Sequence, residues 1–303
     1  MQHSFVIPGL YHLSATDLEK LDDQNLPYVK KYFQSARIQK TEAQQFDEII
    51  AHYLEIKQAT PPYVSKFSNI RNSLIATPIL LKSDINSTWI QPANRVQEID
   101  LIMQDMGKFF ADDLSIKCQF KGHYIIQFKA LSAVEHLPFY LTVLGRKIEN
   151  FQSSIRENME WFKLLNEIQM FLHGHDLNKT SQGVQGFNSL WLWGGQSQVE
   201  ISHNVAIECD DELLKNALCG TDVLKGNAKK LWVKTNLLRY LKLNTSMDIV
   251  EFFEQLDNAL SGCDFNNTCI ETCDGEKLTY SKFAKYKFWA KKQNLSNLLH
   301  REY

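Results

Sequence analysis

The 303-residue sequence lacks the short motifs that mark many enzyme active sites. It has no G-x-G-x-x-G dinucleotide loop and no Gly-Lys-Ser/Thr phosphate-binding loop. It also has no H-E-x-x-H zinc helix and no G-x-S-x-G nucleophile elbow. Enzyme classes that depend on these motifs are therefore excluded, whereas a site assembled from residues distant in the sequence stays open.

A strong charge of either sign is missing as well. The formal net charge is −2 with a pI near 6.5, and lysines and arginines are spread along the chain, so a nucleic-acid-binding surface is not indicated. The exception is residues 282–292, where Phe283, Tyr286, Phe288 and Trp289 are interspersed with lysines. Such a segment could stack on nucleic acid or contact a protein partner. A terminal amphipathic helix with one packed face is the favoured interpretation.

Long apolar runs and a disulfide-type cysteine pattern are also absent. No window reaches 18 uninterrupted apolar residues, so no transmembrane helix and no membrane partner are predicted. The opening MQHSFVIPGLYHL has no basic segment before a long apolar core, so no signal peptide is predicted. Six cysteines in a chain of this length do not suggest a disulfide scaffold. We therefore expect a cytoplasmic protein with free thiols.

Strand-like and helix-like segments alternate along the chain, which favours an α/β or mixed α+β fold. Turn residues at Lys121-Gly122 and at Asp274-Gly275 predict two hairpins. Hydrophobic periodicity predicts strands at 4–7, 75–83, 87–93, 139–145 and 189–193, and helices at 26–35, 41–58, 94–113, 155–173 and 248–262.

The stretch FNSLWLWGG, residues 187–195, places two tryptophans one residue apart in front of two glycines. On a strand, Trp191 and Trp193 point to one face and the intervening leucines point to the other. Both faces are therefore predicted to be buried, which makes the tryptophans core anchors. Gly194 and Gly195 allow a sharp turn at the carboxyl end of the strand, where ligands bind in open α/β sheets. The alternative is a close approach of another backbone segment.

Two clusters could hold a metal ion, but neither has the spacing of a known site. Cys263, Cys269 and Cys273 match no C-x-x-C pattern, so they are interpreted as small packing residues. His173 and His175 are separated by one glycine and cannot share a helical face. A cationic histidine near a helix C-terminus is the simpler interpretation of His173. No metal and no cofactor are predicted.

The order of the segments between residues 164 and 195 resembles a known family. Leu165-Asn166-Glu167-Ile168-Gln169-Met170 precedes His175-Asp176-Leu177-Asn178, and Asn188-Ser189-Leu190-Trp191-Leu192-Trp193-Gly194-Gly195 follows. This order is similar to the proteobacterial RpfE-type regulatory or phosphoglycerate mutase-like family, and IPGL, LPYVKKYFQ, ATPILL and KFWAKK elsewhere also fit it. More distantly, the segment resembles archaeal-type cofactor-independent phosphoglycerate mutases of the alkaline phosphatase superfamily.

This resemblance implies an α/β fold, an alkaline-phosphatase-like doubly wound sheet with an inserted α+β subdomain. Residues 1–75 and 186–303 would form the main domain and residues 76–185 the insertion. The chemistry of that superfamily needs two divalent metals and a phosphorylated Ser or Thr. Here Pro8-Gly9-Leu10 stands where the first strand of the family carries a metal-binding Asp, and residues 35–58 run into a helix where the nucleophile loop would lie.

The leading hypothesis is therefore a catalytically degenerate phosphoglycerate mutase-like protein of bacterial type. It would act in binding or regulation, with a phosphorylated small molecule or a protein as partner. The alternative is a metal-free enzyme with a rebuilt site, in which His175 is the acid/base and Asp176 orients it. In this alternative, Arg146 clamps an anion, and the other ligand-binding candidates are Asn178, Asn188, Gly194 and Gly195.

Overall fold

A computed structural model describes most of the chain, and the described residues divide into two compact units. Unit 1 consists of residues 1–55 and 201–303, and unit 2 consists of residues 56–200. Both units contain sheets and helices, so the chain is a mixed α/β protein. The described ranges are 2–40, 46–54, 73–94, 98–120, 122–129, 137–151, 159–179, 184–194, 205–211, 214–215, 229–243, 247–281 and 294–299.

Unit 1 is built on a mixed sheet with the strand order β2-β11-β10-β1-β9-β8. Strands β8, β9, β1 and β10 run parallel, whereas β11 and β2 are antiparallel additions at one edge. Its strands are β1 (His3–Val6), β2 (Ala36–Lys40), β8 (Val205–Cys209), β9 (Lys229–Val233), β10 (Thr268–Glu271) and β11 (Glu276–Tyr280). Its helices are α1 (Ala15–Asp22), α2 (Pro27–Ser35), α3 (Phe46–Tyr53), α7 (Asn236–Leu243), α8 (Ile249–Ser261) and α9 (Leu295–Leu299).

One face of this sheet carries the main core of unit 1. Alternate strand residues, among them Phe5 and Ile270, are fully buried against apolar side chains of α1, α2, α8 and α9. The hydroxyl of Tyr32 on α2 lies 3.0 Å from the carbonyl oxygen of Thr268 and 3.1 Å from that of Leu278, so it is shared between two strands. Burial raises the pKa of Tyr32 well above its usual range, so this phenol stays a neutral donor.

The opposite face of the same sheet is covered in part by α3. The hydroxyl of Tyr53, the last residue of α3, donates a hydrogen bond of 2.7 Å to Glu271 on β10 and lies 3.2 Å from the sulfur of Cys269. Cys269 and Glu271 share a strand face because they are two residues apart. Among the described residues, helices therefore pack on both faces of the parallel strands.

Unit 2 contains an antiparallel sheet with the order β4-β3-β6-β5, and β7 pairs with β3 outside this path. The longest strand, β3, pairs with three others and organises the sheet. The strands are β3 (Ser73–Ser83), β4 (Thr88–Pro92), β5 (Leu114–Phe120), β6 (His123–Phe128) and β7 (Ser189–Trp193). The helices are α4 (Ile99–Phe109), α5 (Tyr140–Val143) and α6 (Met159–Gly174), with a 3-10 turn at Ile148–Phe151.

The tryptophan strand β7 is buried along its whole length, as the sequence predicts. Trp193 is fully buried, and its indole N–H donates a hydrogen bond of 2.8 Å to the hydroxyl of Thr77 on β3. The indole N–H of Trp191 donates to the carbonyl oxygen of Pro138 at 2.8 Å. Phe139 contacts the ring of Trp193 edge-on, at 5.0 Å between centroids. Because both indole N–H groups have partners, burial of these rings leaves no donor unsatisfied.

Most predicted elements are found, but the predicted strand at 139–145 is wrong. Residues Tyr140–Val143 form a short helix, and Thr142 bonds back to the carbonyl oxygen of Phe139 through both its N–H and its hydroxyl, at 3.0 and 2.7 Å. A short apolar run fits a buried strand or a buried helix equally well, and sequence periodicity cannot separate them. Contact of Tyr140 with the ring of Trp193 decides the outcome here.

The observed units differ from the predicted division at 76–185. The resemblance places the tryptophan strand in the main domain, whereas β7 pairs with β3 and lies in unit 2. Its position follows from the aromatic packing of Trp191 and Trp193 on Phe139, Tyr140 and Phe151, all of which lie in unit 2. In the part of the chain that the structure describes, no helix is long and apolar enough to cross a membrane.

We predict that Gly9→Ala destabilises the protein. Gly9 has φ of +83°, and an added Cβ would lie 2.8 Å from the Cδ1 atom of Leu241. A left-handed conformation with a side chain costs about 1–2 kcal/mol, so the free energy of unfolding in urea should fall by that amount. Gly262→Ala is the control in the same unit, because Gly262 has φ of −86° and its added Cβ lies 3.9 Å from the nearest atom. An equal loss of stability in both variants would contradict the prediction.

Candidate functional site

The carboxyl edge of the parallel strands in unit 1 is the candidate site. Strands β9 and β10 follow one another in the chain but lie on opposite sides of β1. Such a reversal of strand order opens a crevice at the carboxyl ends, where ligands bind in open α/β sheets. Sequence reasoning instead placed the candidate residues near His175 and the tryptophan strand, in unit 2.

The crevice position at the end of β1 is occupied by apolar residues of the chain itself. Ile7, Pro8, Gly9 and Leu10 are all buried. The N–H of Ile7 donates to the carbonyl oxygen of Glu271 at 2.8 Å, so the β1–β10 pairing continues past the strand end. The resemblance to the mutases implies a metal-binding Asp at this position, and the structure has a packed turn there.

At the end of β8, Asp210 caps the N-terminus of α7. Its Oδ1 accepts hydrogen bonds from the N–H and the hydroxyl of Thr235, at 2.7 and 2.9 Å, and its Oδ2 accepts from the N–H of Asn236 at 3.0 Å. These are the N–H groups that a helix N-terminus leaves unsatisfied. Burial raises the pKa of Asp210 above its usual value, although the hydrogen bonds act in the opposite direction.

The next residue, Asp211, also bonds to other residues of the chain. Its carboxylate is buried, forms an ion pair with Arg239 on α7 and accepts a hydrogen bond of 3.1 Å from the N–H of Leu214. Two successive acidic residues therefore join the end of β8 to the same helix. Both carboxylates therefore bond to other residues of the chain.

At the end of β10, Glu271 is the centre of a small hydrogen-bonded network. Its Oε1 accepts from the ammonium group of Lys277 and from the hydroxyl of Tyr53, each at 2.7 Å. Burial acts to lower the pKa of Lys277, but the hydrogen bond and charge of Glu271 outweigh it and raise that pKa. Burial, with Cys269 and Glu271 nearby, raises the pKa of Tyr53 far above its usual range. Lys277 is therefore the charged donor and Tyr53 the neutral donor.

The turn after β10 brings a thiol close to acidic residues. Cys273 has φ of +66°, an uncommon conformation for a residue other than glycine, and Gly275 in the same turn has φ of +78°. Burial and the charges of Asp274, Glu271 and Asp47 raise the pKa of the Cys273 thiol well above its usual value. The thiol is therefore a poor nucleophile at neutral pH.

Cys269 is buried, as expected for a packing residue, but its sulfur also contacts two hydroxyl groups. It lies 3.2 Å from the hydroxyl of Tyr53 and 3.4 Å from that of Ser4. Within the described residues, no group of three or more His, Cys, Asp or Glu side chains is arranged to hold a metal ion.

The ligand-binding candidates Asn178 and Asn188 bond to the backbone of unit 2. The amide of Asn178 is buried, donates to the carbonyl oxygens of Leu172 and Phe187 at 2.8 and 2.5 Å, and accepts from the N–H of Phe187 at 3.1 Å. Asn188 exchanges two hydrogen bonds with the backbone of Leu81, at 2.7 and 2.8 Å, and so extends the β3–β7 pairing. These bonds give both amides a structural role.

The other candidates that the structure describes differ in their contacts and in their burial. The Nε2 atom of His175 lies 3.6 Å from the carboxylate of Asp105 on α4, and its Nδ1 is buried without a hydrogen-bond partner in the described part of the chain. Asp176 and Arg146 are exposed. Gly194 is buried with φ of +65°, in agreement with a sharp exit from β7. Gly195 lies outside the described residues, and the proposed roles of this set remain predictions.

Sequence reasoning missed the residues at the carboxyl edge of unit 1. The pair Asp210-Asp211 follows an alternating run, which is a usable sign of a strand end, but the helix N-terminus that Asp210 caps lies 26 residues further along the chain. The contact of Tyr53 with Glu271 and Lys277 has no such sign, because 218 and 224 residues separate Tyr53 from these partners. Only the folded sheet brings them together.

We predict that Asn178→Ala acts on stability, because three hydrogen bonds to buried backbone groups are lost. The free energy of unfolding should fall by about 2–4 kcal/mol in urea titrations. Asp176→Ala, two residues away and exposed, is the matched control and should change it by less than about 0.5 kcal/mol. A stable Asn178→Ala protein would show that the amide is not a structural element.

No protein-family model matches the chain, and no curated protein matches it. Among solved structures, it is similar to the "Cofactor-Independent Phosphoglycerate Mutase from Thermoplasma acidophilum DSM 1728". The identity is 13%, the match covers 93% of this chain and 90% of that chain, and the TM-score is 0.38. The likeness is distant, and at this TM-score it supports no conclusion about activity.

Proposed function

We propose that this protein acts by binding, as a regulatory or ligand-responsive protein, and does not carry out metal-dependent phosphoryl transfer. The packed end of β1 is the observation that supports the proposal most directly. Ile7, Pro8, Gly9 and Leu10 are buried at the crevice where the mutase resemblance implies a metal-binding carboxylate. The side chains of this buried apolar turn offer no ligand to a divalent cation.

Two carboxylates that lie at this edge, those of Asp210 and Glu271, already accept hydrogen bonds from other residues of the chain. A two-metal phosphoryl-transfer site needs carboxylate oxygens that are free to coordinate the ions. Both oxygens of Asp210 accept hydrogen bonds from Thr235 or Asn236, and Glu271 holds Lys277 and Tyr53. Releasing Oδ1 of Asp210 for a metal would leave the N–H and the hydroxyl of the buried Thr235 unsatisfied, at a cost of about 1–3 kcal/mol for each group.

The resemblance of residues 164–195 to the mutase-like family suggests a phosphorylated small molecule or a protein as the partner. The full chain would be assayed for interconversion of 2- and 3-phosphoglycerate with Mn²⁺, and titrated calorimetrically with the same compounds with and without Mn²⁺. We expect no turnover and binding that does not depend on Mn²⁺. Turnover at about 1 s⁻¹ or faster, an ordinary enzymatic rate, would refute the proposal.

We predict that Asp210→Ala lowers stability without affecting any response to metal. Loss of a helix N-cap should reduce the free energy of unfolding by about 1–2 kcal/mol. Glu208→Ala, two residues earlier on β8, is the matched control, since this carboxylate is 46% exposed and pairs with Lys230 at 3.3 Å. Its loss should cost less than about 1 kcal/mol.

The measurement is urea unfolding of the native chain and both variants with and without Mn²⁺. The three proteins should show the same change, or the same lack of change, when Mn²⁺ is added. If Mn²⁺ stabilised the native chain and Glu208→Ala but not Asp210→Ala, Asp210 would be a metal ligand and the proposal would be wrong.

A further inference from the structure

Unit 2 contains a cleft between α6 and the tryptophan strand β7 that no part of the proposed function uses. The cleft holds about 540 Å³ of empty space, part of it open to solvent. One face of α6 forms a wall, with Phe162, Leu165, Asn166 and Gln169 at helical spacing. The strand supplies the opposite wall, which includes Ser189 and Trp191.

The chemistry of the lining limits what the cleft can bind. Ile79, Leu137, Ile148, Leu190 and Leu192 complete the lining, and none of the lining residues that the structure describes is Asp, Glu, Lys, Arg or His. A charged ligand would lose its hydration there without gaining an ionic partner. The ligand is therefore neutral and mostly apolar, which excludes the phosphorylated compounds considered above.

The cleft has a few polar side chains, which can form hydrogen bonds with one polar group of a ligand. The side-chain amide of Gln169 donates to the hydroxyl of Ser189 at 3.4 Å, which is near the upper limit for such a bond. A weak bond of this kind can be exchanged for a bond to a ligand at little cost. The exposed amide of Asn166 lies on the same face of α6, one turn away.

The strand wall is rigid in the structure. The indole of Trp191 is held by its hydrogen bond of 2.8 Å to the carbonyl oxygen of Pro138 and by edge-on contact with Phe151, at 5.3 Å between ring centroids. A wall that is fixed before binding reduces the entropy that a ligand must lose. Clefts lined mostly by apolar side chains with a few polar groups are typical of small-molecule sites.

We propose that the cleft between α6 and β7 binds a neutral, mostly apolar small molecule that carries one hydrogen-bonding group, of the kind found in an aromatic alcohol, amine or amide. The residues of this cleft all belong to unit 2, and the proposal does not depend on the function proposed for unit 1.

The test uses two fluorescent probes with the same aromatic frame. N-phenyl-1-naphthylamine is neutral and has one N–H group, whereas 8-anilino-1-naphthalenesulfonate adds a negative charge. Titrations of the full chain are followed by probe emission. We expect the neutral probe to bind at least tenfold more tightly than the sulfonate. Equal binding of the two probes, or no binding of the neutral probe, would overturn the proposal.

Two variants locate the bound probe. Leu165→Trp should fill the cleft and weaken binding of the neutral probe at least tenfold. Met170→Trp adds the same side chain to the same helix at a position that is 75% exposed, and it should leave binding unchanged. Urea unfolding checks that both variants are folded. Equal binding of the neutral probe by folded Leu165→Trp and by the native chain would refute the assignment.

A third variant keeps the test decisive if Leu165→Trp does not fold. Asn166→Lys changes an exposed residue of the wall and introduces a cation. We expect it to strengthen binding of the sulfonate and to weaken binding of the neutral probe. No change in the preference between the two probes would count against this location.

Discussion

Parallel pairing of β1 with β9 on one side and β10 on the other is the constraint on which unit 1 depends. Residues 3–6 pair with residues 230–233 and 268–271, so the start of the chain forms the middle of a sheet completed more than 200 residues later. Helices α1, α2, α8 and α9 pack on one face of that sheet, and α3 contributes to the other. The pairing also determines which side chains meet at the carboxyl edge.

That edge differs from the open, polar crevice usual in α/β enzymes. The turn after β1 is apolar and buried, and Asp210 caps α7 in place of facing a ligand. Glu271 is held by Lys277 and Tyr53. The carboxylates of Asp210 and Glu271 already accept hydrogen bonds within the chain, so binding a metal through the same oxygens would break those bonds before making new ones. The physical cost of that exchange underlies our proposal of a binding protein.

Unit 2 has a different balance of packing and space. Its antiparallel sheet is centred on β3, and the aromatic groups around Trp193 fill the interior at one end of β7. Beside Trp191 the packing is incomplete, and an uncharged cleft remains along α6. The same strand therefore supplies a core anchor with one tryptophan and a wall of a candidate site with the other.

The sequence by itself determined the local elements whose signals are short-range. Period-two alternation predicted β7 and the burial of both its faces, and Asp274-Gly275 predicted the hairpin of β10 and β11. The helical spacing of residues 248–262 predicted α8, with Gly262 at its C-cap. In each case the pattern that predicts the element lies within one short stretch of the sequence, so it can be recognised without knowledge of distant contacts.

Only the tertiary structure decided the rest, because the deciding contacts join distant residues. The apolar run at 139–145 became a helix through packing against Trp193, and β7 joined unit 2 through its pairing with β3. Asn178 and Asn188, candidate ligands by sequence, bond to backbone groups of the fold, whereas Tyr53, Glu271 and Lys277 meet with no local signal. A residue's type shows which bonds it can make, and the fold decides whether the chain itself already makes them.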